Sequence, residues 1–157
     1  MTLTAQILSA PIINGTPTGS GVATVMLKRG TGTADYSTTS TTLTAVDSTY
    51  LAHSIVVPVG WKLIVDARGS ISVSTGVASV YAAILDGGEI VNSVVNTPSA
   101  ISLRTPFSVQ GVIVGDNATH NIRMAFRTTN AADAAVIFNS TINAAVPTLL
   151  LTLLPAN

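Results

Sequence analysis

The sequence predicts an all-β domain, a sandwich or barrel of about eight to ten short strands. Three observations carry that expectation. Apolar residues make up 47% of the 157-residue chain but aromatics only 4%, so the apolar mass is Val, Ala, Ile and Leu set among many Thr and Ser. β-Branched side chains pack well on a pleated surface and lose χ1 freedom in a helix. Turn signals recur at short intervals, and no helix-length window carries a 3.6-residue apolar period. A chain of this length forms one domain able to bury a core. It divides into an N-terminal arm, residues 1–21, and a body, residues 22–157.

The arm contains Pro11, Pro17, an Asn14-Gly15 turn signal and a closing Gly19-Ser20-Gly21, all of which interrupt regular structure. Ile7, Leu8, Ile12 and Ile13 have no fold-defining period there. They need burial against the body or a neighbour. In the body, Val22–Lys28 alternates and reads as a strand. Residues Arg29–Thr42 read as a polar linker, Leu43–Val46 as a short strand and Leu51–Val57 as a longer one closed by Pro58-Val59-Gly60.

Trp61–Val73 shows the clearest period of two: Trp61, Leu63, Val65 and Ala67 on one face, Lys62, Asp66 and Arg68 on the other, with Ile64 the exception. Trp61 is in phase with the apolar face and is expected in the core. Gly69 is expected to mark a bulge or bend. Val77–Leu85 is apolar on both faces, and Asp86-Gly87 is a hairpin signal leading into Glu89–Val95. Ile101–Val114 reads as one long or broken strand, interrupted by Pro106 and Gly111, and Asp116-Asn117 as a turn. Ile122–Arg127 alternates, and Ala134–Asn139 and Thr148–Leu154 complete the set, the last again apolar on both faces. Two-sided apolar strands are hard to place in a lone sandwich, whose outer faces should be polar. They fit a subunit interface through Val80, Ala82, Ile84, Leu150 and Leu154, together with Ile7, Leu8, Ile12 and Ile13 of the arm. Cover by loops or by the arm is the alternative.

Only 9% of residues are charged, and seven basic balance seven acidic residues, against about 25% charged in an average domain. So little charge promotes association and predicts a surface covered by other subunits. Scattered basic residues cannot form the dense patch a phosphate backbone requires, so no nucleic-acid partner is expected. The longest apolar stretch, Ala144–Leu154, is too short to span a bilayer and contains Pro147. No Lys or Arg precedes the first apolar run, unlike a signal peptide, and Met1 is expected to head a complete chain. No membrane partner is expected.

Catalysis is not expected either. There is no Cys and no Gly-x-Ser-x-Gly, and His53 and His120 fall in different segments, each expected to be a surface or sheet residue. The acidic residues are dispersed; the nearest pair, Asp86 and Glu89, flanks Gly87-Gly88 and reads as a hairpin turn before a calcium site. No metal or cofactor is expected.

Three segments, Val57–Val65, Tyr81–Ile90 and Asn117–Arg127, together resemble the turn-and-strand, central-hairpin and penultimate-strand patterns of bacteriophage virion domains. Those domains are jelly-roll sandwiches of tumour-necrosis-factor/C1q-like shape, of the capsid-decoration and head-fibre type, and the likeness covers roughly residues 36–154. It implies a jelly-roll-like antiparallel β-sandwich with an extended N-terminal arm. It also implies a homotrimer and a place on the outer surface of a capsid, bound to the major capsid protein after synthesis in the host cytoplasm. A tail or head fibre domain that binds a receptor, or a non-viral lectin-like adhesive module, is the alternative. The shortage of aromatics departs from the pattern at the trimer axis.

Overall fold

The computed structural model describes residues 12–13, 16–17, 24–30, 34–74, 78–97, 103–139 and 146–156. Thirteen strands follow in chain order: β1 (Ile12–Ile13), β2 (Thr16–Pro17), β3 (Thr24–Arg29), β4 (Tyr36–Thr38), β5 (Thr44–Ala45), β6 (Ala52–Val56), β7 (Trp61–Val73), β8 (Val80–Asp86), β9 (Glu89–Asn96), β10 (Thr105–Val114), β11 (Thr119–Thr128), β12 (Ala135–Ile137) and β13 (Thr148–Pro155). Eight of them build two facing antiparallel sheets, in the orders β3-β13-β7-β10 and β6-β11-β8-β9. Each sheet draws strands alternately from the two ends of the body. That interleaving is the double Greek key of a jelly roll, so the sandwich expected from the sequence is the one observed. The short β12–β4 pair extends the first sheet beside the C-terminal half of β7, and β5 flanks β11 in the second.

The core lies where period-two alternation turns apolar side chains inward. Leu63, Val65, Ala67, Ile71 and Val73 of β7 and Leu149, Leu151 and Leu153 of β13 face Val80, Ala82 and Ile84 of β8 and Ile122, Met124 and Phe126 of β11. Trp61 packs against this cluster from the end of β7, as expected.

One expected break is absent. β7 runs unbroken through Gly69, which pairs in register with Phe107, and a Cβ at Gly69 would lie 2.9 Å from the Phe107 ring. The glycine makes room for the ring and produces no bulge. Of the two forms expected for Ile101–Val114, the described part takes the long one: from Thr105, β10 continues through Pro106 and Gly111. Gly111 is where Val91 of β9 comes close, 2.6 Å from a would-be Cβ, and it lets the two sheets approach at that edge. The register shift that does occur lies in the β8–β9 hairpin, between Ile84 and Leu85. The hairpin turn itself is as expected: Gly87 has φ 60°, the positive value required at the first central position of a type II′ turn. The polar stretch Arg29–Thr42 contains a strand absent from the sequence reading, β4, tied to the 46–51 turn by the Tyr36 hydroxyl donating to Asp47 at 2.9 Å.

Of the arm, the backbone of β1 pairs with β2 across Asn14-Gly15, Ile12 opposite Pro17 and Ile13 opposite Thr16. Ile7, Leu8 and the Gly19-Ser20-Gly21 break lie outside the described residues.

Candidate functional site

The outer face of the β3-β13-β7-β10 sheet is apolar where a solvated sheet would be polar. Register builds it in rows across the strands. Val25 of β3, Thr152 of β13, Ile64 of β7 and Val112 of β10 form one row. Leu27 and Leu150 start the next, which ends in Asp66 and Gln110. Leu154, Lys62 and Val114 form the row on the other side. With about 4.8 Å between strands, such a row spans about 14 Å. Val25 is 59% exposed, Leu27 58%, Val112 56% and Val114 72%; Ile64, Leu150 and Leu154 are half-buried. Exposed apolar surface of this kind makes the face the candidate interaction site. Two charged residues of β7, Lys62 and Asp66, interrupt it in the rows on either side of Ile64. Arg68 Nε donates to Asp66 Oδ2 at 2.8 Å and Ser108 Oγ to Asp66 Oδ1 at 3.3 Å, so the buried carboxylate is already engaged within the chain.

The nine interface residues expected from the sequence therefore separate. Leu150 and Leu154 lie on this outer face. Val80, Ala82 and Ile84 do not belong to any outer face: each is wholly covered within one chain, in the core against the opposite sheet. The reverse side of β8 is covered too, since Ala83 and Leu85 are buried. Its cover is polar side chains of β11. The Arg127 guanidinium stacks on the Tyr81 ring at 3.9 Å and donates to Thr41 O at 3.0 Å, while Arg123 donates to Gly87 O. Long arginine stems shield apolar sheet surface while their heads stay in water, so β8 is apolar on both faces without any partner. Ile12 and Ile13 are placed only as backbone. Val25, Leu27, Val112 and Val114 are not interface candidates in the sequence, and Ile64 is there only the exception to an alternation; Ile64, Val112 and Val114 occupy the polar phase of strands whose other phase makes the core.

The histidines are not brought together. His53 lies on the core side of β6, opposite Ile122. His120 opens β11 and is buried, with Nδ1 2.6 Å from Asp86 Oδ2 and Nε2 3.1 Å from Asp116 Oδ1. Asp86 Oδ1 also accepts from Asn121 N at 2.8 Å. Burial disfavours the imidazolium, but the hydrogen bonds and charges of Asp86 and Asp116 outweigh it and raise the His120 pKa above 6.5. The Ala118 N–H, helped by His120, holds the Asp116 carboxyl below 3.8. With a carboxylate on each ring nitrogen, His120 has no site left to deprotonate a nucleophile; it clamps the β8–β9 hairpin to the β10–β11 turn. A pKa raised by folding contributes stability that is full below the unfolded value, about pH 6.5, and is lost as pH rises through the folded one. His120→Asn is therefore expected to lower the urea midpoint more at about pH 5.5 than at about pH 8, and a pH-independent loss would contradict the clamp.

Among the described residues no group of three or more His, Asp or Glu is placed to hold a metal ion, and no helix is long and apolar enough to cross a membrane.

No family model matches the chain. No curated protein matches it. Among solved structures it is similar to the VP2 subviral particle of infectious bursal disease virus, with a TM-score of 0.45 and 11% identity over 86% of this chain and 37% of that one. It is also similar to a mutant VP2 protein of the same virus in derived T=1 particles, with a TM-score of 0.34 and 12% identity over 85% and 36% of the two chains. The chain thus spans little more than a third of the length of these proteins.

Proposed function

We propose that this chain is a structural virion protein, a capsid decoration protein that forms a homotrimer and binds the major capsid protein on the outer surface of the shell. The observation that carries this reading is the apolar outer face of the β3-β13-β7-β10 sheet. A face with Val25, Leu27, Val112 and Val114 more than half exposed is costly to leave in water, at about 25 cal/mol per Å². Covering it with further copies of the chain removes that cost. The sparse, balanced charge of the sequence supports the same reading, because it opposes association so little. The resemblance of Val57–Val65, Tyr81–Ile90 and Asn117–Arg127 to phage virion domains supports the location. The arm, residues 1–21, adds contact area through Ile7, Leu8, Ile12 and Ile13. The host cytoplasm is the place of synthesis that this reading implies.

Quantitative mass spectrometry of purified particles tests it. Copies in a fixed, high ratio to the major capsid protein are expected. A few copies per particle would transfer the role to a fibre or tail component, and absence from particles would end the virion reading.

A further inference from the structure

The opposite sheet carries a second feature, independent of assembly. An open cleft of about 570 Å³ lies on the outer side of β8 and β11, floored by Leu85 and Ala45 and rimmed by Thr41, Thr42, Gly87 and Gly88, with Arg123 and Arg127 on its wall. Two of the chain's seven basic residues thus face one cleft, and no Asp or Glu lines it. Neither guanidinium forms an ion pair among the described residues, whereas Arg68 does. Each is instead held by a backbone carbonyl, Arg127 by Thr41 and Arg123 by Gly87, and Arg127 is further fixed over Tyr81. Their remaining terminal N–H groups have no acceptor among the described residues. Forked donors immobilised in advance lose little entropy on binding an oxyanion.

We infer that this cleft binds a small carboxylate-bearing sugar. The guanidinium forks match a planar carboxylate. The Thr41 hydroxyl and the Gly88 backbone on the rim supply donors and acceptors for ring hydroxyls, whereas Thr42 Oγ1 is paired with Ser40 Oγ and Gly87 with Asn121 and Arg123. An open cleft with a small apolar floor suits a ligand that stays largely hydrated.

The test is titration of the full chain with cellobiouronic acid, followed by amide chemical shifts, beside cellobiose and sodium sulfate. Saturable shifts confined to residues 41–45, 85–90 and 123–127 are expected, with the acid binding at least about tenfold more tightly than either control. Arg123→Lys with Arg127→Lys keeps the charge and removes the forks, and is expected to weaken the acid about tenfold while the amide spectrum keeps its folded dispersion. Equal binding of cellobiose, equal binding of sulfate, or no saturation by the acid would each overturn the inference, and these readings need no variant.

Discussion

Gly115→Ala is expected to be the most damaging Gly→Ala change among the described residues, at about 3 kcal/mol or more. Gly115 lies between the end of β10 and the Asp116-Asn117 turn. A Cβ there would sit 1.8 Å from Pro58 O, 2.6 Å from Pro58 C and 2.9 Å from Trp61 O. All three are backbone atoms, so no rotamer change relieves the overlap. The backbone cannot retreat cheaply either. Gly115 N donates to Trp61 O at 2.8 Å, Asp116 N and Asn117 N donate to Val57 O at 3.2 and 3.0 Å, and Val59 N donates to Asn117 Oδ1 at 3.1 Å. Asn117 is itself held at φ 67°, a left-handed conformation that a shift of the turn would disturb. Folded domains have only about 5–15 kcal/mol in hand, so the loss takes a large share of the total. Urea unfolding measures it. Gly88→Ala is the control, because its Cβ would meet nothing within 4 Å and its midpoint should stay close to wild type. Equal midpoints for the two variants would mean that the 57–61 turn is not seated against β10 as described.

The second large effect concerns assembly. Leu27 on β3 and Val112 on β10 stand at opposite edges of the apolar face, each more than half exposed. Leu27→Glu with Val112→Glu places two carboxylates on a surface that must be dehydrated for copies of the chain to pack. Because neither side chain belongs to the core, the fold should lose no more than about 0.5 kcal/mol per site. The association constant should fall at least about a hundredfold, as burying an unpaired charge at an interface does. Sedimentation at micromolar concentration reads both: an oligomer for the wild type, a monomer of unchanged compactness for the variant. A monomeric wild type would remove self-association as the use of this face. An oligomeric variant would place the interface elsewhere.

Where the sequence reading and the structure part, the cause is tertiary. The alternation in Trp61–Val73 is set by residues two apart, and β7 spans those same residues with the expected face inward. The hairpin at Asp86-Gly87 is equally local, since one positive φ decides it. Gly69 misled, and Gly111 left the continuity of its strand open, because a glycine in a strand can relieve either backbone strain or a side-chain clash. Here the reasons are Phe107 and Val91, on neighbouring strands. Strand β4 was illegible because Tyr36–Thr38 lacks an apolar phase of its own and forms by pairing with β12, about a hundred residues away.

By itself, then, the sequence determined the β class, the phase of the long strands, the position of the turns and the low-charge surface, because these depend on residue type and short-range spacing. Only the tertiary structure decided which apolar phase faces water. β8 and β13 look alike as strings, yet Arg123 and Arg127 of β11 cover the outer side of β8, while Leu150 and Leu154 stay part-exposed beside Leu27 and Lys62. The same holds for His120, whose two carboxylate partners come from separate turns. The physical reason is one: burial and pairing are properties of neighbours in space, and a jelly roll makes neighbours of strands that the chain keeps far apart.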